Sequence, residues 1–222
     1  MNEGLLFVEI VIVFTLLLLA QRIFGKAGVL AWIPLATVTA NSLTLKNVCL
    51  FGMNTAAGSV MFASTFLATD ILTECYGVKE ARRGVLMGLC GAVMFVVCSQ
   101  IVLCYIPSPI DYASDAMNGL FVLNLRVSIA SIAMYLVANM ADVFLYEGLR
   151  RKTGGSKMWL RNNLSTIVCN CAENFMFVLL GFYGVYDFGQ CMNIAWSISI
   201  IEAIVGICDT PFLYAALRMR NG

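Results

Sequence analysis

The chain reads as an all-α, polytopic bundle of transmembrane helices with about seven spans, and three observations predict this. Of its 222 residues 60% are hydrophobic and only 12% are charged, about half the charge that a soluble domain carries. The charged residues collect between long apolar runs, the pattern of a chain whose solvent is lipid. Basic residues also occupy every second connection, as expected of a chain crossing the bilayer repeatedly.

A spanning helix needs about 20 mainly apolar residues, and seven segments qualify: 5–21, 27–47, 55–76, 84–106, 119–148, 162–184 and 192–217. The first follows an acidic start, Asn2-Glu3, and runs directly into Gln21-Arg22 without a small-residue cleavage site. It therefore reads as a retained helix and not as a secretory signal. The second ends in a polar stretch, Asn41, Ser42, Thr44, Lys46 and Asn47. Pro107 and Pro109 close the fourth, because proline cannot continue a helix. The fifth is long enough to tilt or to project from the bilayer. Thr153-Gly154-Gly155-Ser156 supplies turn chemistry between the fifth and sixth.

The connections orient the bundle. Arg22 and Lys26, then Lys79, Arg82 and Arg83, then Arg150, Arg151, Lys152, Lys157 and Arg161, and finally Arg218 and Arg220 mark one side. The other side holds Asp111, Asp115 and Asp187, with Lys46 as the basic exception. Basic loops stay in the cytoplasm, so the amino terminus is expected outside and the carboxyl terminus inside. One integral membrane domain, residues 1–222, is expected.

Several function classes drop out early. Histidine is absent, which removes His-based nucleophilic triads, His-ligated metals and His proton shuttles. The nine cysteines lie mostly in apolar runs and read as small packing residues. Cys169 and Cys171 lack zinc-site spacing. A net charge of +1 gives no electrostatic footprint for nucleic acid. No phosphate-binding loop of the Walker type is present. Ser165-Thr166 has no evident base, so an intramembrane enzyme is not expected, and no cofactor or metal is implied.

What the spans do contain is acid. Asp70, Glu74, Asp142, Glu173, Glu202 and Asp209 lie within apolar runs, where an ionisable group costs about 2.5–3.5 kcal/mol even on lenient insertion scales. Arg126 and Lys46 are the nearest basic residues, both near the outer ends. Helical spacing sorts the polar residues into faces. Phe62, Phe66, Asp70 and Glu74 follow at intervals of four; Ser128, Ser131, Tyr135, Asn139, Asp142 and Tyr146 recur at three or four. Asn163, Thr166, Asn170, Glu173 and Phe177 repeat the pattern, as do Ser199, Glu202, Gly206 and Asp209. Single Ser, Thr and Asn residues also serve as interhelical glue, worth about 0.6–2 kcal/mol per bond, and Glu74, Glu147 and Asp70 are close enough to the basic end to pair with Lys79, Arg82 or Arg83. Asp142 and Glu173 are deeper. Four polar-aromatic stripes suit a hydrogen-bonding cavity. A carboxylate matches the adjacent ring N–H and amino donors of a guanine-like edge, and rings offer stacking faces, so a purine-like or other amine-bearing solute suits the residues.

Longer motifs narrow this. Phe66-Leu67-Ala68-Thr69-Asp70-Ile71-Leu72-Thr73-Glu74-Cys75-Tyr76-Gly77, followed by Ala81-Arg82-Arg83, resembles the signature of the queuosine precursor transporter family, vitamin-uptake-like integral membrane proteins. Thr39-Ala40-Asn41, the stretch from Tyr135 to Val143 with Asn139 and Asp142, the stretch from Arg161 to Glu173 with Ser165, Thr166 and Asn170, and Asp209-Thr210-Pro211 resemble further elements of that family. The resemblance covers residues 28–217. It implies a six-helix core over 27–217, similar to the substrate-binding subunit of energy-coupling-factor vitamin transporters, with residues 1–26 as an added amino-terminal helix. It further implies import of 7-deazaguanine bases (the nitrile precursor, the aminomethyl precursor or queuine) across a bacterial inner membrane for tRNA modification.

On that resemblance Asp142 and Glu173 are expected at the base edge with Asn139 and Asn170 beside them. Asn41 and Asp70 are expected as cavity partners, Phe66 or Tyr135 as stacking rings, Asp209 as a further substrate-binding residue, and Glu74, Glu173 or Asp142 as the acids toward a protonated aminomethyl group. Asn139 stands where the family often has glutamine and Glu173 where it often has aspartate, changing the reach by one methylene. The competing expectation is a binding subunit that needs separate ATPases. The partners expected are the small-molecule substrate and lipid, and the sequence is compatible with either a single copy or a homo-oligomer.

Overall fold

The computed structural model describes residues 1–44, 46–121, 125–153 and 158–221. Seven helices of 18 residues or more make up the bundle among these residues. They are α1 (Asn2–Phe24), α2 (Lys26–Leu43), α3 (Ser59–Tyr76), α4 (Val78–Leu103), α6 (Leu125–Lys152), α7 (Met158–Phe182) and α8 (Phe188–Asn221). A short α5 (Ser114–Phe121) and a hairpin of β1 (Asn47–Leu50) and β2 (Met53–Ala56) complete the order. The protein is therefore an all-α, multi-pass membrane bundle, and most of each of the seven expected segments falls on one long helix.

Five of the long helices have the length and hydropathy of a membrane span: α1, α4, the 130–152 part of α6, α7 and α8. The two that fall short, α2 and α3, carry more polar residues. For α3 the reason is its position. It packs against α1, α2, α4, α6 and α8, and 14 of its 18 residues are buried. A helix sheathed by other helices need not match lipid, so threonines and acids are tolerated along it. By contrast α1 turns Leu5, Val8, Ile12, Leu16 and Leu19 outward, as a lipid-facing surface requires. Its other face buries Ile10, Phe14 and Leu17; Phe14 meets Phe212 edge-on at 5.3 Å. Gln21, at the end of the apolar run, is buried and donates to the Ala216 carbonyl at 3.4 Å.

The hairpin corrects the expected spans. Residues 47 and 55–56, read from hydropathy as helix ends, belong instead to an antiparallel pair with Leu50 opposite Met53. The connecting Phe51 and Gly52 both have positive φ, 50° and 76°, the geometry of a two-residue hairpin turn that matches strand twist. Without an Asn-Gly or Asp-Gly pair the sequence gives no warning of it. The helix stops earlier than expected because Asn41, Ser42 and Thr44 bond back to carbonyls four residues before them, at 2.8, 3.1 and 2.6 Å. Of the fifth expected span, residues 125–148 lie in α6 and 119–121 in the short α5. Asp111 begins that segment by accepting from the Ala113 and Ser114 amides at 2.7 and 3.2 Å.

Helix connections alternate between two ends. At one end α1 turns into α2 at Gly25 and α3 into α4 at Gly77, whose φ of 93° favours glycine. Lys26 and Glu80 join these turns at 3.4 Å. At the same end Arg82 covers the Phe144 ring at 4.3 Å and Arg220 the Tyr76 ring at 5.2 Å, so the basic residues gather on one side. The hairpin lies at the opposite end, where Asn2 donates to the Cys49 carbonyl at 3.0 Å. The Gly154-Gly155-Ser156 turn, Lys157 and the side chains of Arg126 and Ser128 lie outside the described residues.

Candidate functional site

The polar stripes converge in two layers. The first surrounds a cavity of about 210 Å³ in the half of the bundle that holds the hairpin. Thr37 and Asn41 from α2 and Phe62 from α3 form one wall. Ser131 and Tyr135 of α6, then Glu173, Asn174 and Phe177 of α7, line it as well. Glu202 of α8 closes the side, and Phe95 and Phe121 form an apolar rim. Among the described residues none that lines it is basic.

Local packing sets these side chains. Tyr135 lies against α4 at Gly88, where a methyl group would stand 1.8 Å from the tyrosine oxygen. Only a glycine leaves room for that ring. Its hydroxyl reaches the Val85 carbonyl at 3.5 Å. Phe62 meets the Tyr135 ring at 6.5 Å, so two rings share the cavity wall. Glu173 is 9% exposed, and its Oε2 has no hydrogen-bond partner among the described residues. Glu202 differs: its Oε2 accepts from Asn174 Nδ2 at 2.7 Å. The two carboxylates, on adjacent helices, are near enough to interact electrostatically.

The second layer lies deeper, toward the basic end. Asp70 of α3, Asp142 of α6 and Asp209 of α8 are each at most 1% exposed and lie within Coulombic range of one another. Among the described residues neither oxygen of Asp70 or Asp142 has a hydrogen bond of good geometry; the Ser165 hydroxyl lies beside Asp142. Asp209 Oδ1 accepts from Asn162 Nδ2 at 2.5 Å. Among the described residues the acids do not converge as a metal-ligand group. Beneath them Arg161 of α7 donates to Glu74 of α3 from Nε at 2.8 Å and through a second, shorter bond from Nη2. Arg150 approaches the same carboxylate at 3.8 Å, and the Arg161 guanidinium sits 5.5 Å from the Tyr146 ring centre.

The expected site residues are distributed over both layers. Asn41, Tyr135 and Glu173 line the cavity. Asn139 and Asn170 are buried one turn deeper, each with an unpartnered amide oxygen; Asn139 Nδ2 donates to the Tyr135 carbonyl at 3.0 Å. Asp70, Asp142 and Asp209 form the deep layer, and Glu74 is held in the ion pair beneath it. Phe66 is buried behind the wall, edge-on to Phe62 at 5.5 Å. Three participants were not singled out from sequence. Asn174 follows Asn170 by four residues, a spacing that would have placed it. Phe62 heads the stripe of α3. Arg161 counted there as a loop cation, and nothing local to it signals the partner 87 residues away.

Comparison with known proteins agrees with this architecture. A family model described as "Putative vitamin uptake transporter" matches residues 56–216. A Bacillus subtilis (strain 168) protein named "Probable queuosine precursor transporter" is 34% identical over 210 residues, spanning 94% of this chain and 92% of the relative. A Haemophilus influenzae protein of the same name is 27% identical over 157 residues, 65% of this chain and 61% of the relative. No solved structure matches. With a transporter model matched across most of its length and a relative aligned nearly end to end, the chain belongs to the queuosine precursor transporter family of multi-pass membrane proteins.

Proposed function

We propose that this protein imports 7-deazaguanine precursors of queuosine across a bacterial inner membrane. One observation carries the reading: the Glu173 carboxylate, buried and without a hydrogen-bond partner at Oε2 among the described residues, lines a cavity together with Phe62 and Tyr135. A carboxylate accepts in parallel from the ring N–H and exocyclic amino group of a guanine-like edge, and the aromatic rings flank the flat face of the base. The cavity is smaller than the roughly 300–1,000 Å³ of drug-sized sites, in keeping with a bicyclic base. The relatives' names supply the same substrate class.

The basic end belongs in the cytoplasm by the positive-inside rule, which puts the amino terminus and the cavity mouth outside. Asp142, Asp70 and Asp209, with Asn139 and Asn170 above them, then form the second station on the inward path. The Arg161–Glu74 layer closes its cytoplasmic end. Alternating access by rocking of helices about the cavity is the expected mechanism.

Complementation tests the reading. The chain is expressed in a bacterium that lacks queuosine synthesis and its own precursor transporter, with a precursor supplied at limiting concentration. Queuosine in the tRNA supports import. Its absence, with the protein present in the membrane and binding no 7-deazaguanine base after purification, overturns the reading. Binding without import points instead to a substrate-binding subunit that needs partner ATPases.

A further inference from the structure

We propose that Glu202 makes the cavity selective for a base bearing a cationic aminomethyl group over its neutral nitrile counterpart, an inference that rests on the 7-deazaguanine reading above. The argument begins with a surplus of acid. A neutral base presents one donor edge, which one carboxylate satisfies. Among the described residues the cavity has two carboxylates, Glu173 on α7 and Glu202 on α8, and no basic side chain. Both are buried, at 9% and 5% exposure, where opposite charges attract far more strongly than in water.

The two acids are set up differently. Glu202 is fixed by Asn174 Nδ2 at 2.7 Å, so it keeps a defined position with one donor already in place. Glu173 has no hydrogen-bond partner at Oε2 among the described residues and lines the cavity, so its carboxylate is assigned the two parallel donors of the base edge. That division leaves Glu202 facing the cavity as an acid that a nitrile, which has no donor, cannot engage, whereas a cation beside it favours its ionised form. An ammonium group supplies both the charge and the donors. The ring faces of Phe62, Tyr135 and Phe177 along the same wall add favourable surfaces for a cation.

Size does not discriminate between the two forms. The nitrile and aminomethyl substituents have the same number of heavy atoms, so a cavity of about 210 Å³ that admits one admits the other. Charge is what remains. The neutral form leaves Glu202 with its Asn174 bond alone and no counter-charge, and an unmet group of this kind is the usual source of discrimination between near-isosteres.

The test is competition binding on the purified full-length protein, with the aminomethyl base, the nitrile base and guanine as probes. The aminomethyl base is expected to bind at least tenfold tighter than the nitrile. Glu202→Gln, which keeps the size and the contact with Asn174, is expected to cut that ratio by tenfold or more. Equal affinity of the wild-type protein for both bases overturns the proposal while leaving the transport reading intact. So does a ratio unchanged in Glu202→Gln. Failure to bind any 7-deazaguanine base overturns both. Should the variant not fold, the wild-type ratio decides alone: a preference below tenfold is the overturning result.

Discussion

Arg161 Nε donates to the Glu74 carboxylate at 2.8 Å, joining α7 to α3 across 87 residues of sequence at a depth where Arg161 is only 2% exposed. Removing one member of such a pair strands the other as a buried charge, which typically costs about 3–5 kcal/mol. Arg161→Ala is therefore expected to destabilise the protein by that order, read as a lower thermal midpoint in detergent. Glu74→Gln on top of it should restore part of the loss, because the stranded charge is then gone. An unaltered midpoint in Arg161→Ala would show that the pair contributes nothing.

Gly88 fixes the position of Tyr135. A methyl group there meets the tyrosine oxygen at 1.8 Å and Ile33 at 2.9 Å, so Gly88→Ala must displace the ring toward the cavity. Overpacking of this kind costs about 1–3 kcal/mol. Both a lower thermal midpoint and weaker substrate binding are expected. Full affinity in the alanine variant would remove Tyr135 from the binding wall.

Glu173 carries the proposed contact to the base edge. Hydrogen bonds to a charged group contribute about 1.5–3 kcal/mol each, and 1.4 kcal/mol is a factor of ten. Glu173→Gln is expected to weaken binding at least tenfold, measured by calorimetry on the purified protein. Glu173→Asp should lose less, since it keeps the charge and shortens the reach by one methylene. Wild-type affinity in Glu173→Gln would exclude this residue from recognition.

Asp142 has neither oxygen well bonded, and Asp70 and Asp209 lie within Coulombic range. Such an arrangement does not stabilise the fold, so Asp142→Asn is expected to leave the thermal midpoint equal or higher. Uptake should fall by tenfold or more, as when a functional group is retained at the expense of stability. A stable variant with normal uptake would take Asp142 out of the transport path.

The orientation can be read with cysteines. Cys49 of β1 and Cys104 after α4 are exposed at the hairpin end. In intact cells, a membrane-impermeant maleimide is expected to label single-cysteine versions carrying either one. Labelling only after the cells are opened would reverse the proposed topology.

The class of the molecule follows from sequence for a direct reason. Lipid demands long apolar helices with satisfied backbones, and the basic connections follow a rule that acts on each loop separately. Both signals are local, so composition and spacing reveal them. The stripes of α6 and α7 were legible for the same reason: Tyr135, Asn139 and Asp142, like Asn170 and Glu173, share a face by helical period alone. The hairpin at Phe51-Gly52 was not legible, because its positive-φ turn uses a residue with no turn preference and its strands are four residues each.

Composition and helical period yield an all-α membrane bundle with acids on its inner faces. Tertiary structure decided how those acids divide. It set Glu173 and Glu202 around a cavity, Asp70, Asp142 and Asp209 into a deeper layer, and Glu74 into a pair with Arg161. It also made α3 the sheathed centre of the bundle. The physical reason is that periodicity fixes which side chains share one helix face, while the depth and neighbours of that face depend on how separate helices pack.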